Sequence, residues 1–182
     1  KLFGKPAAHI TKEQRHVAKC AILGAGYGMG ASRFEDYAAG MGADLDSQGL
    51  SGLGVIKAWR KDRWRIAGAW QRGEFNLGLW QHMEQAAIAA VRRPGSVQKA
   101  GVCSWYMEGP HLFCSLPSGR TLIYRRPELK SIRKPWDREP ELRLCYEVAQ
   151  WVNLDGKPVM VDTWGGKLVE NVIQAICRDL LA

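Results

Sequence analysis

The sequence predicts an α+β fold, with helices first, then β-hairpins, then one closing helix. Three observations predict it. Apolar residues recur at helical spacing through most of the first hundred positions. From Val102 onward the chain reads as short strand-like runs, such as Val102–Met107 and Leu112–Cys114, separated by Pro, Gly and Asn turns. After Gly165-Gly166 a long amphipathic stripe returns. Two regions are therefore expected, 1–100 and 101–182.

Gly4-Lys5-Pro6 reads as a turn. Thr11-Lys12-Glu13-Gln14 matches a capping box, in which the Thr side chain and the Gln three residues later satisfy each other's free backbone donors. A helix is expected from there to about Leu23, ended or distorted by the glycines between Gly24 and Gly30. Ser32–Met41 predicts a second helix with Phe34, Tyr37 and Ala38 on one side. Residues 43–54 read as a loop. Val55–Trp70 predicts a helix buried along Val55, Trp59, Ile66 and Trp70, with Lys57, Arg60, Lys61, Arg63 and Arg65 opposite. Another helix is expected over Leu77–Arg92, stopped by Arg93-Pro94-Gly95.

Past it, Pro117-Ser118-Gly119 is an expected turn leading into a strand over Arg120–Tyr124. Residues 125–140, basic and Pro-containing, read as a solvated loop. Arg143–Trp151 and Pro158–Trp164 predict two strands joined through Asn153-Leu154-Asp155-Gly156. A last helix runs from Lys167. Its polar stripe is Lys167, Glu170, Asn171, Gln174 and Arg178, and its apolar face is Leu168, Val169, Val172, Ile173, Ile176 and Leu180.

A content of 46% hydrophobic and 24% charged residues in 182 is ordinary for a globular chain, one domain or part of a larger one. The net charge is +8. A surplus of that size suits a polyanionic partner, although simple solubility explains it too. Five cysteines, with no Cys-x-x-Cys pair, argue against a disulfide framework and against a zinc site. Reduced, mostly buried thiols are expected. No apolar run reaches the length of a membrane span. The chain starts without Met and stops inside a helical pattern, so both ends are expected to be cuts in a longer chain.

Arg15, Lys19, Leu23 and Tyr27 stand four apart, so on a helix they share one face. Two cations, an aliphatic residue and an aromatic beside glycines suit a nucleoside triphosphate, with phosphates, sugar and base taken in that order. From spacing alone a merely solvated helix face is the better explanation, since Arg and Lys four apart are common on helices. Gly24-Ala25-Gly26-Tyr27-Gly28-Met29-Gly30 could also be weighed as a dinucleotide fingerprint. That motif needs a strand before its glycines, whereas a helix precedes them here.

The run from Ile10 to Arg15, followed by Lys19 and by Leu23 through Gly30, resembles the nucleotide-binding motif of family A DNA polymerases, and specifically their bacteriophage-type branch. The segment Thr163-Trp164-Gly165-Gly166-Lys167 through Ala175 is similar to that family's palm helix. Ser118-Gly119-Arg120 through Tyr124 is similar to its Gly-Arg hairpin. The three motifs follow the family's order across nearly the whole chain.

The resemblance implies a right-hand polymerase fold, with fingers over 1–100, a nucleotide-binding helix at 11–27, and hairpins plus a partial palm over 101–182. It implies that Arg15 and Lys19 contact the triphosphate and act in catalysis, that Leu23 lies at the sugar, and that Tyr27 lies by the nascent base pair. Tyr27, Gly28, Arg120, Lys167, Asn171 and Gln174 are the implied DNA contacts. Leu23 stands where many members carry Phe or Tyr, and Glu170 occupies the usual Asn position, with Asn171 one residue on. Mg2+ is the implied cofactor. Its carboxylate ligands are expected outside this chain, and no acid here, Asp36, Asp44, Asp46, Asp162 and Asp179 included, is assigned to metal. The implied partners are primer–template DNA and a dNTP, in a monomeric polymerase of the bacterial or phage-infected cytoplasm, with no membrane. The fragment alone is expected to be inactive. The alternative function is a non-catalytic nucleic-acid-binding protein; an oxidoreductase ranks third.

Overall fold

A computed structural model describes residues 2–134, 138–153 and 155–181, with side chains omitted for 149–152. The fold is mixed α and β, and it divides into two compact units, Lys1–Gly78 and Leu79–Ala182. The division falls ahead of residue 100 because the helix that follows Gly78 packs with the strands of the second unit.

The first unit is built on α1 (Lys12–Ala25), α2 (Ala31–Gly40), α3 (Gly52–Asp62) and the short α4 (Trp64–Ala67). The capping box forms as expected: Gln14 N–H donates to Thr11 Oγ1 at 3.2 Å, and Thr11 N–H to Gln14 Oε1 at 3.3 Å. Such a cap is worth about 1 kcal/mol. Val17, Cys20, Ala21 and Ala25 of α1 pack with Phe34, Ala38, Val55 and Ile56 in one apolar core. Gly24 allows the close approach, since a Cβ there would lie 3.2 Å from both Met29 Sδ and Phe34 Cδ2. Glu35 of α2 accepts the Gly52 N–H at 2.8 Å and so holds the start of α3.

The helix expected over Val55–Trp70 stops at Asp62. Arg63 leaves helical geometry at φ −107°, ψ 37°, and Gly68 takes φ 78°. The chain then makes a hairpin, β1 (Ala69–Gln71) with β2 (Glu74–Asn76). Arg72 and Gly73 turn it at φ 54° and 83°, the doubly positive geometry of a tight hairpin turn. Val55 is buried, but Trp70, expected inside, is 75% exposed.

The second unit is a six-stranded antiparallel sheet in strict chain order: β3 (Gln98–Ala100), β4 (Cys103–Glu108), β5 (His111–Ser115), β6 (Thr121–Ile132), β7 (Glu141–Val152) and β8 (Pro158–Thr163). Helices α5 (Leu79–Arg92) and α6 (Gly165–Leu181) pack against each other, and α5 also packs on β3 and β4. Trp105 is fully buried, and its indole N–H donates to Met83 Sδ at 3.2 Å, fixing α5 on β4. Gly165 lets α6 begin against α5, because a Cβ there would run into the Trp80 carbonyl. The Gly165 N–H donates to Glu84, whose carboxyl burial pushes above its ordinary range.

Residues 125–132 are strand, where a loop was expected. Lys130 pairs with Arg143 and Ser131 with Leu142, so β7 satisfies the backbone while Arg125, Arg126, Glu128 and Lys130 stay exposed. The register shifts between Arg125 and Glu128. Pro127, which has no N–H to give, sits inside that shift. The β7–β8 pairing is as expected, although Leu154 of its turn lies outside the described residues. On α6, Leu168, Val169 and Val172 are buried, whereas Ile173 and Leu180, expected on the apolar face, are exposed. Cys20, Cys103, Cys114 and Cys145 are buried, and Cys177 is exposed. Among the described residues no helix is long and apolar enough to cross a membrane.

Candidate nucleotide and nucleic-acid surfaces

On α1 the buried positions all turn inward, which leaves Arg15, Lys19 and Leu23 exposed in a row on the other side. Lys12, Arg15, His16, Lys19, Ile22 and Leu23 line a shallow depression along this face. Among the described residues, nothing forms an ion pair with Arg15 or Lys19. Two cations without carboxylate partners keep their full charge for an anion. His16, between them, donates Nε2–H to the Met41 carbonyl at 2.8 Å and is committed to the fold. The helix ends at Ala25, so Tyr27 lies beyond it, half-buried in the turn that Gly28 completes at φ 85°.

In the second unit, β6 and α6 form a groove of about 450 Å³ lined by Arg120, Tyr124, Tyr146, Asn171, Gln174 and Arg178. Three of the six residues with an implied DNA role thus come together. Each already has a structural partner. Asn171 Nδ2 donates to the Tyr124 hydroxyl at 3.2 Å. Burial pushes the Tyr124 phenol upward, so it stays neutral and able to accept. Gln174 Nε2 donates to Glu170 Oε1 at 3.2 Å, and Lys167 Nζ lies 2.8 Å from Glu170 Oε2. Arg120 is the most committed: Nη2 donates to the Ala175 carbonyl at 2.6 Å, and Nε lies 2.7 Å from Asp179 Oδ1. Ser118 Oγ donates to the other Asp179 oxygen at 2.5 Å. Ser118 and then Arg120 hold the Asp179 carboxyl below its ordinary range.

Over its whole length the chain is 33% identical, across 183 aligned positions, to a protein named DNA polymerase from Bacillus phage SP02. The chain is a relative of that protein. It spans 25% of the relative's length. No family model matches the chain, and no solved structure matches it.

Among the described residues no three His, Cys, Asp or Glu side chains gather to hold a metal ion. Asp162 pairs with Lys134 at 2.9 Å, Asp179 with Arg120, and Asp44 accepts the Ser47 N–H at 3.1 Å. These three carboxylates are thus engaged with partners of the chain itself. Arg178, at the open edge of the groove, stood only in the polar stripe of α6 on sequence. Its place beside Gln174 follows from helical spacing, but its meeting with Arg120 and Tyr124 in one groove depends on where β6 crosses the helix, which nothing local encodes. The Arg120–Asp179 clasp is equally invisible, since its residues are far apart along the chain.

Proposed function

We propose that this chain is the nucleotide-holding part of a DNA-directed DNA polymerase of the family A, bacteriophage-type branch, which extends a primer on a template with dNTPs. The exposed row Arg15, Lys19 and Leu23 carries this reading, supported by the full-length similarity to a phage protein named DNA polymerase. Residues of the first unit act as fingers, and the β6–α6 groove belongs to the palm.

In this reading Arg15 and Lys19 grip the triphosphate. Charge-assisted contacts made by cations fixed on a rigid helix orient the phosphorus for attack and offset the negative charge that builds on the leaving pyrophosphate. Leu23 packs on the sugar. Tyr27 closes the site beside the new base pair, where Gly28 leaves room for a base. Gln174 and Asn171 meet the primer–template near its end, with Lys167 and Arg120 at the flanking phosphates. Two-metal phosphoryl transfer would need carboxylates other than the residues assigned here, and the ions would supply activation of the primer hydroxyl and stabilisation of the leaving pyrophosphate.

Steady-state primer extension by the polymerase that contains these 182 residues tests this reading. Lys19→Ala and Arg15→Ala are each expected to lower kcat/KM for dNTP more than tenfold, since a lost charge-assisted contact costs about 1.5–3 kcal/mol. Unchanged kinetics in both variants would overturn the assignment. A folded polymerase of full length that shows no extension would favour a non-catalytic nucleic-acid-binding protein.

A further inference from the structure

The first unit carries another surface, which the nucleotide reading does not use. In the β1–β2 hairpin, Trp70 and Phe75 are direct cross-strand partners. Their ring centroids lie 5.8 Å apart with planes at 62°. Trp70 is 75% exposed and Phe75 41% exposed. Packing within the fold does not account for a tryptophan so open to water, because most of its apolar area is never buried.

The sequence flanking this pair is cationic, although Glu74 of β2 stands exposed beside Phe75. Arg72 stands exposed at the hairpin's tip, in the positive-φ turn. Arg65, just before the hairpin, sits with its guanidinium carbon 5.5 Å from the centroid of the Trp64 ring. From Lys57 to Asn76 there are six Lys and Arg against two acids, which is half of the chain's net charge of +8. Arg63 is paired with Asp62 at 3.3 Å. Among the described residues, nothing forms an ion pair with Arg65 or Arg72.

We propose that this hairpin is a stacking platform for single-stranded nucleic acid. The faces of Trp70 and Phe75 take unpaired bases, and Arg65 and Arg72 take the flanking phosphates. Exposed π faces within a cationic field match the two recurring chemistries of a single strand, base planes and a regularly charged backbone. A duplex offers the charge but hides its base faces in the stack. An acidic protein surface offers the charge without the planes. The inference stands on this hairpin and does not need the polymerase reading.

Fluorescence anisotropy of a labelled oligo(dT) of about 16 nucleotides tests it on the 182-residue chain, without nucleotide or primer. Trp70→Ala is expected to weaken binding on the order of tenfold. Its salt dependence should be unchanged, because no cation is lost, and Trp70→Phe should recover most of the affinity. Arg72→Ala should flatten the slope of log affinity against log salt by about 0.7, the value for one phosphate contact on a single strand. Equal binding by the unaltered chain and Trp70→Ala would overturn the proposal, as would no binding at all, or a blunt duplex that competes as well as oligo(dT). A second readout needs no variant. Photo-crosslinking of an iodouracil-substituted oligonucleotide should label the peptide bearing Trp70 and Phe75, and labelling confined to other peptides would equally overturn it.

Discussion

Asp179 takes a hydrogen bond from Ser118 and an ion pair from Arg120, so one carboxylate ties the turn before β6 to the end of α6. Both partners favour its charged form and hold its pKa below the ordinary carboxylate value. A depressed folded-state pKa means that the clasp stabilises the fold at and above the pH where an unfolded Asp ionises. That stabilisation is lost as pH falls through the lowered value. Urea denaturation from pH 7 downward should therefore show unaltered chain and Asp179→Asn separated at neutral pH and converging in acid. Curves that stay parallel at every pH would mean that Asp179 contributes nothing through its charge. The same clasp limits Arg120 as a phosphate ligand, since Nε and Nη2 are already turned toward α6. Arg15 and Lys19 differ in kind: their helix is held by its opposite face, so their charges are spared any structural duty.

Among the elements, those with a local cause were legible. Thr11 and Gln14 specify the start of α1 within one turn, and the amphipathic repeat after Gly166 specifies α6. The β1–β2 hairpin was hidden because Trp59, Ile66 and Trp70 prolong a helical period. Its turn also uses Arg72 at positive φ in place of the usual Asn. Residues 125–132 were hidden because a basic, Pro-containing run reads as loop until β7 supplies its partner. Of the candidate site, the shared exposed face of Arg15, Lys19 and Leu23 on α1 was legible from their spacing. The β6–α6 groove was not, because it arises only when the two elements cross. Helix α6 also depends on a contact that no periodicity reveals, the bare Gly165 backbone against the Trp80 carbonyl. Gly165→Ala should destabilise the second unit by about 1–3 kcal/mol, the cost of forcing extra volume into a packed contact. Gly40, at the end of α2 with open space around it, provides the control. Gly40→Ala should stabilise by about 0.4–1 kcal/mol through the unfolded chain. Denaturant midpoints check both, and a harmless Gly165→Ala would show that α6 can shift to make room.

For the whole molecule, the charge of +8 and the described acids point to a division of labour. The chain by itself should bind primer–template DNA and yet extend no primer in magnesium. Binding should weaken steeply from 50 to 200 mM salt, because each neutralised phosphate releases counterions. Gel-shift and extension assays on one preparation check both halves, and extension by the 182 residues alone would relocate catalysis into this chain. Such work is helped by the way the cysteines are distributed. Four are sealed in the two cores, while Cys177 faces solvent on α6, one turn from Gln174. The fold thus carries its own attachment point for a thiol-reactive dye at the rim of the groove proposed to meet DNA, placed to report that encounter without any engineered residue.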